Sequence, residues 1–212
     1  FETWDAIGLA KSIEKMENDG MAVPPKVKKM LAAGNTAFYK SENGKHFYYD
    51  FAGESYTERV ISENIISLAS LKSTGKIVKE NRSASLIDLG DDVFCLELHT
   101  KMNSLNREIT EFLPEVLATV DAKAAGLVIG NQAGGMPGAF SAGANLMDVA
   151  LAVKENRFAD LEKMLAGLQY GLLNLRYAPF PVVAAPFGLA LGGGCELCLA
   201  SDRIVAHAEL YM

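Results

Sequence analysis

Apolar residues Ile7, Ala10, Ile13 and Met16 stand three apart through DAIGLAKSIEKMENDG. That stripe predicts a helix from about Ala6 to Asp19, with Asp5 as N-cap and Gly20 as the stop. VPPKVKKMLAAG repeats the pattern on a shorter scale, with proline at its start and Gly34 at its end. Asn43-Gly44, between two aromatic segments, reads as a tight turn or hairpin. STGKIVKENR, residues 73–82, has the polar composition of a surface connection, and a domain boundary is placed near residue 82. Beyond it the period changes. Ser85–Leu89 and Val93–His99 are β-rich runs around Gly90-Asp91-Asp92, which suits a hairpin. Ile109, Leu113, Val116, Leu117 and Val120 fall at helical spacing, with Asn103 or Ser104 as the cap. AAGLVIGN is a short apolar strand. Residues 134–144, GGMPGAFSAGA, hold too much glycine and proline for regular structure, and a helix is expected from about Glu155 to Tyr177. FPVVAAPFGLALGGG then reads as a buried strand running into a glycine turn and a further helix. The alternation is that of an α/β fold.

Composition narrows the function classes. With 212 residues, 50% hydrophobic and 22% charged, the chain can bury the core of one or two domains. Twenty Lys and Arg against 26 Asp and Glu give a net charge of −6. No long basic run offers a footprint for a phosphate backbone, so nucleic acid is not an expected partner. No apolar run approaches the roughly 20 residues of a membrane helix, and residues 1–20 lack the pattern of a signal peptide. No membrane span is expected. Cys95, Cys195 and Cys198 are an odd number in apolar surroundings, which reads as reduced thiols and a cytoplasmic location. A first residue of Phe1 and an abrupt HAELYM terminus read as a fragment of a longer protein.

The segment APFGLALGGGCELCLASD, residues 185–202, sets three glycines before a lone carboxylate, Glu196. Glycines between a strand and a helix let the backbone approach a ligand and aim the first helical amides at it. The dinucleotide fingerprint fails on spacing, because Gly192, Gly194 and Leu197 stand where it has three glycines. No Gly-Lys-Ser/Thr follows for a phosphate loop, and Ala139 replaces the first glycine of a nucleophile elbow around Ser141. What remains is a pair of amides facing a developing oxyanion, with a carboxylate one turn away. A reaction that puts negative charge on a carbonyl oxygen and moves a proton uses both parts. The amides hold charge on the carbonyl oxygen, and the carboxylate moves the proton for roughly two to four orders of magnitude in rate. Leu197 and Leu199 are expected to desolvate Glu196 and raise its pKa. Structural readings compete: tight helix–strand packing for the glycines and capping for Glu196. Cys195 and Cys198 have CxxC spacing without a second pair, so buried packing is favoured and no metal site is expected. His46, His99 and His207 are scattered, Asp202-Arg203 suits a surface pair or a strand start, and Ser141 is a loop hydroxyl.

At these residues the sequence resembles the crotonase, or enoyl-CoA hydratase and isomerase, superfamily. FSAGANL, residues 140–146, is similar to that family's Phe-x-Ala-Gly-Ala-Asp-Leu loop, and GLALGGGCELCLASD to its Gly-x-Ala-x-Gly-Gly-Gly-Cys-Glu-Leu segment. KMNSLN looks like the acyl-CoA-binding start of the fold. The resemblance implies that the amides of Ala144 and Gly193 form an oxyanion hole and that Glu196 is a catalytic acid/base. It implies acyl-CoA contacts for Met102, Ala142, Gly143, Ala144, Asn145, Gly192 and Gly193. Asn145 departs from the family's Asp, which bears on its side chain and leaves the Ala144 amide untouched.

FETWDAIGLAKSIEKMENDG, VPPKVKKMLAAG and AFYK resemble the C-terminal helical region of 3-hydroxyacyl-CoA dehydrogenases. The two resemblances imply a mainly helical dehydrogenase-like segment over residues 1–82. A crotonase-like ββα-spiral domain follows over 83–212, truncated at its C-terminal side. The parent would be a bifunctional β-oxidation protein that hydrates trans-2-enoyl-CoA and oxidises the product. Isomerisation, or a non-catalytic acyl-CoA-binding or assembly module, is the alternative. The CoA thioester is substrate, NAD is expected only for the dehydrogenase domain, and homo-oligomer or domain–domain contacts are implied for the parent. The second hydratase carboxylate would lie beyond Met212, so the chain alone is expected to be inactive.

Overall fold

The structure, a computed structural model, describes residues 1–42, 45–59, 65–132 and 138–212. Its chain divides into two units, Phe1–Ile66 and Ser67–Met212. In the first, α1 (Glu2–Ile7) and α2 (Leu9–Asn18) replace the single helix expected over Ala6–Asp19, because Gly8 between them takes φ +100°. Asp5 is not a cap. Its carboxylate accepts the amides of Phe38 and Tyr39, each at 2.8 Å. Of the predicted stripe only Ile13 and half-buried Met16 pack inward, while Ile7 and Ala10 are exposed; Leu9 and Ile13 are buried with Phe38, Tyr49 and two residues of α3 (Pro25–Ala32), Val27 and Met30. Gly20 and Gly34 lie just beyond the ends of α2 and α3 with positive φ, as helix stops do. β1 (Tyr39–Glu42), β2 (Lys45–Asp50) and β3 (Ser55–Glu58) form an antiparallel sheet in which Glu42 opposes Lys45. The Asn43-Gly44 turn itself lies outside the described residues.

The second unit begins with α4 (Leu68–Ser73) and β4 (Ile77–Glu80). The expected surface connection over 73–82 therefore contains a four-residue strand, and the two units divide between Ile66 and Ser67. Half-buried Ile77 and Val78 explain why: β4 pairs antiparallel with β5 (Ala84–Gly90), and Val78 packs on the main core. β5 and β6 (Val93–Leu98) form the predicted hairpin, with Asp91 and Asp92 at φ +50° and +58° as a two-residue turn demands. α5 (Arg107–Lys123) is capped by Asn106, whose Oδ1 accepts the Ile109 amide at 3.0 Å, and not by Asn103 or Ser104. β7 (Gly126–Ile129) is the expected strand.

Residues 134–137 of the glycine-rich stretch lie outside the described residues, but its later part is regular. β8 (Ala139–Ser141) pairs in parallel with β10, described below, and α6 (Leu146–Lys154) precedes α7 (Phe158–Arg176). α7 is the helix expected over Glu155–Tyr177, starting at Phe158 because Asn156 adopts φ +54°, whereas α6 ahead of it was not expected. FPVVAAPFGLALGGG is two strands in two sheets: β9 (Val182–Ala184) beside β7, and β10 (Leu189–Ala190) beside β8. α8 (Gly193–Ala200) and β11 (Arg203–Ile204) follow. The larger sheet has the order β11-β9-β7-β6-β5-β4, parallel from β11 to β6 and antiparallel beyond.

Alternation along β5 and β6 sends Ala84, Leu86, Phe94, Leu96 and Leu98 into the core beneath α5. Ile87 and Cys95 face the other way, against Leu68 of α4. Glu97 shares that outer face, 2% exposed, and accepts Lys72 Nζ at 2.6 Å. Lys72→Ala would leave a buried carboxylate unpaired and should destabilise the second unit by about 3 kcal/mol. Adding Glu97→Leu should restore most of that loss in urea unfolding. Additive losses in the double variant would show that the pair is not coupled.

Candidate active site

Three backbone segments converge on one point in the second unit. The turn Lys101–Asn103 is a short 3-10 stretch in which Met102 and Asn103 take φ +55° and +51°. Residues 142–145 lead from β8 into α6, and Leu191–Gly194 lead from β10 into α8. Met102 C=O accepts the Ala142 amide at 3.1 Å, Gly143 C=O accepts Leu105 N–H at 2.8 Å, and Leu105 C=O accepts Asn145 N–H at 2.9 Å. Asn145 also caps α6, its Oδ1 accepting Met147 N–H at 3.1 Å. An amide oxygen serves that cap as well as the carboxylate of the resembled loop.

The glycines are where side chains have no room. A Cβ on Gly143, whose φ is +83°, would stand 2.6 Å from Leu191 O. One on Gly194 would stand 2.6 Å from Ser141 O and 2.7 Å from Ser141 Cβ. Gly192 faces open space but takes φ +49° and ψ −120°. The point where a Gly193 side chain would start lies 3.7 Å from both Ala144 N and Glu196 Oε2. Among the described residues, the amides of Ala144 and Gly193 have no hydrogen-bond acceptor. Two unbonded amides and one carboxylate oxygen are therefore near neighbours at the N-terminus of α8, a place that favours negative charge, with Leu105 Cδ1 2.9 Å from the same Gly193 point.

Met102, Ala142, Gly143, Ala144, Asn145, Gly192, Gly193 and Glu196 are all brought together here. The expected enclosure of Glu196 is not found: it is exposed, and Leu199 is 61% exposed, because helical periodicity turns Leu197 inward and Leu199 outward. Its side chain makes no capping bond among the described residues. A cavity of about 420 Å³ lined by Arg82, Asn106, Arg107, Asp148, Arg157 and Asp160 lies elsewhere and includes none of Ala144, Gly193 or Glu196. Asp202 starts β11, its Oδ2 accepting Val182 N–H at 2.8 Å. Each histidine meets a local partner: His46 with Ser41, His99 with Ser85, and His207 with the Glu209 amide. Asn103 and Ser141, 4% and 0% exposed, are polar residues at the heart of the site whose part sequence reasoning missed. The signal available was an asparagine before SLN, since Asn tolerates left-handed backbone better than most residues.

The thiols around α8 are quiet. Burial first, and Cys195 second, push the Cys198 thiol up to about 11. Burial and then Glu97 push Cys95 up to about 12. Folding favours the protonated thiol in both, so this contribution is complete below an unfolded value near pH 8.5. It is lost as pH rises toward 11 for Cys198 and 12 for Cys95. Maleimide labelling of native protein at pH 8 should reach the half-buried Cys195 before either; faster labelling of Cys198 would contradict its burial. Gly143→Ala and Gly194→Ala should each cost more stability in chemical unfolding than Gly192→Ala. The last carries only backbone strain of about 1–3 kcal/mol. A reversed order would mean that the two loops do not touch.

Residues 91–210 match the family model described as Enoyl-CoA hydratase/isomerase. Over 214 aligned residues, the whole of this chain, the sequence is 44% identical to a Bacillus subtilis protein named "Probable 3-hydroxyacyl-CoA dehydrogenase", of which it spans 26%. The enoyl-CoA hydratase from Bacillus anthracis aligns with a TM-score of 0.54 at 26% identity, over 61% of this chain and 49% of that one. An enoyl-CoA hydratase from Polaromonas sp. JS666 aligns with a TM-score of 0.54 at 26% identity, over 60% and 49%. The fold is thus the mixed α/β crotonase fold, and the chain belongs to the enoyl-CoA hydratase/isomerase family.

Proposed function

We propose that, in the whole protein, the domain to which the second unit belongs hydrates trans-2-enoyl-CoA to 3-hydroxyacyl-CoA in fatty-acid β-oxidation. One observation carries the reading: the free amides of Ala144 and Gly193 and the Glu196 carboxylate gather around one point at the start of α8. In this account the thioester oxygen takes both amide hydrogen bonds. Glu196 accepts a proton from water as the hydroxide oxygen bonds to C3 and the double-bond pair moves onto the thioester oxygen; as the carbonyl re-forms, C2 takes a proton from the second carboxylate expected of the whole protein, and Glu196 releases its own to solvent. The amides stabilise charge only as it develops, which lowers the barrier without tightening substrate binding. The same hole with one carboxylate serves double-bond isomerisation by moving a proton from C2 to C4, and product analysis separates the two.

Exposed Leu146 and Met147 on α6, next to Ala144, offer apolar surface to an acyl chain. The first unit, in this proposal, corresponds to the C-terminal helical region of a 3-hydroxyacyl-CoA dehydrogenase, which the 44% identity to the B. subtilis protein supports. The whole protein would then also oxidise the hydration product with NAD. The glycine turn before α8 does not fit NAD, because it has Leu197 where a dinucleotide fingerprint needs its third glycine. No step here runs through it. Among the described residues no helix is long and apolar enough to cross a membrane, and unpaired thiols at Cys95, Cys195 and Cys198 support a cytoplasmic setting.

Glu196→Gln in the whole protein should lower kcat for crotonyl-CoA hydration by roughly 10²- to 10⁴-fold, with acetoacetyl-CoA affinity changed by less than threefold. Near-normal turnover would reduce Glu196 to a helix-terminal charge and favour the binding-module alternative.

A further inference from the structure

The turn before α5 does more than lead into a helix. Met102 and Asn103 are consecutive non-glycine residues in left-handed backbone, a conformation that persists only where its surroundings fix it. Asn103 is 4% exposed and engaged at both ends of its polar outline. Its Nδ2 donates to Ala139 O at 2.8 Å, and its backbone carbonyl accepts Ser141 Oγ–H at 2.7 Å. Ser141 Oγ in turn accepts Gly143 N–H at 3.2 Å. With the Met102 and Leu105 bonds already described, the turn supports the strand and loop from residue 139 to residue 145. One consequence is specific. Of the four amides from Ala142 to Asn145, those of 142, 143 and 145 are bonded, and only that of Ala144 is left free among the described residues.

We propose that Asn103 is a positioning residue for the oxyanion hole: its carboxamide and its left-handed carbonyl set the register of β8, and so aim the Ala144 amide at the thioester oxygen beside that of Gly193. This rests on the hydratase/isomerase reading of the site. Asn103 touches no substrate in this account. It acts by fixing a donor whose misplacement by a fraction of an ångström weakens the transition state more than the ground state.

The test compares affinity for acetoacetyl-CoA, whose enolate fills the oxyanion hole, with affinity for free CoA, which does not, by calorimetry on the whole protein. Asn103→Gly keeps the left-handed backbone and deletes the carboxamide. Asn103→Asp keeps the shape and loses the donor to Ala139 O. Each should lower the acetoacetyl-CoA to CoA affinity ratio by about tenfold or more, leave CoA affinity within twofold, and reduce kcat for crotonyl-CoA more than KM changes. A merely structural role would weaken both ligands together or leave both unchanged. Should the Asn103 variants fail to fold, Ser141→Ala breaks the neighbouring link and must lower the same ratio. A folded variant of either residue with the wild-type ratio overturns the inference. Equal affinity of the wild-type protein for the two ligands overturns the hydratase/isomerase reading instead.

Discussion

Everything at this site depends on two stretches of backbone coming closer than a methyl group allows. Gly143 lies against the Leu191 carbonyl and Gly194 against Ser141. The contact is short because β8 and β10 are paired in parallel and both leave their sheet at the same end, one into α6 and the other into α8. Both amides are thereby presented on one side. The cost is paid in sequence freedom, since no residue with a Cβ keeps this approach without moving backbone. A pre-set pair of donors at a helix N-terminus is what such rigidity yields, and it needs no reorganisation when charge appears.

The larger sheet supplies the platform. Asn131, 6% exposed, joins it to the smaller one: its Oδ1 accepts the Leu98 amide at 2.7 Å, and its Nδ2 donates to Phe140 O at 2.6 Å. β6 and β8 are thus tied through one buried carboxamide, while Asn103 ties the following turn to the same strand. Buried amides satisfied at both ends are specific as well as stabilising, because a shifted register would leave polar atoms unpaired in the core. β8, which leads into the loop of Ala144, is thus bonded by two buried carboxamides, those of Asn131 and Asn103.

Elements whose pattern is local were legible in the sequence. The β5–β6 hairpin, α5 and β7 follow from alternation and helical spacing that their own side chains complete. β4 and β8 were not, and β9 and β10 were read as one strand, because which partner a short segment pairs with is not written in its own periodicity. The helix break at Gly8 was lost for a related reason, since one residue of positive φ barely disturbs an apolar stripe. At the site, the triple glycine and FSAGAN identified the two loops and the carboxylate. Their approach could be inferred only by resemblance, and the environment of Glu196 was misjudged by counting sequence neighbours instead of helix faces.

That exposure bears on how the chemistry can run. An exposed carboxylate is a weak partner for a developing charge, since the solvent screens it, even beside the buried Gly193 and half-buried Ala144. The apolar side chains nearest in sequence to Ala144, Leu146 and Met147, are 75% and 78% exposed, and Leu199 on the Glu196 helix is 61% exposed. In the proposed reaction an acyl chain resting on that surface removes water from the hole as it binds. Substrate then contributes the low-dielectric surroundings that the described residues do not provide around Glu196. Longer acyl chains would strengthen the electrostatics of the hole as well as the affinity, because burying more apolar surface and excluding more water are the same event.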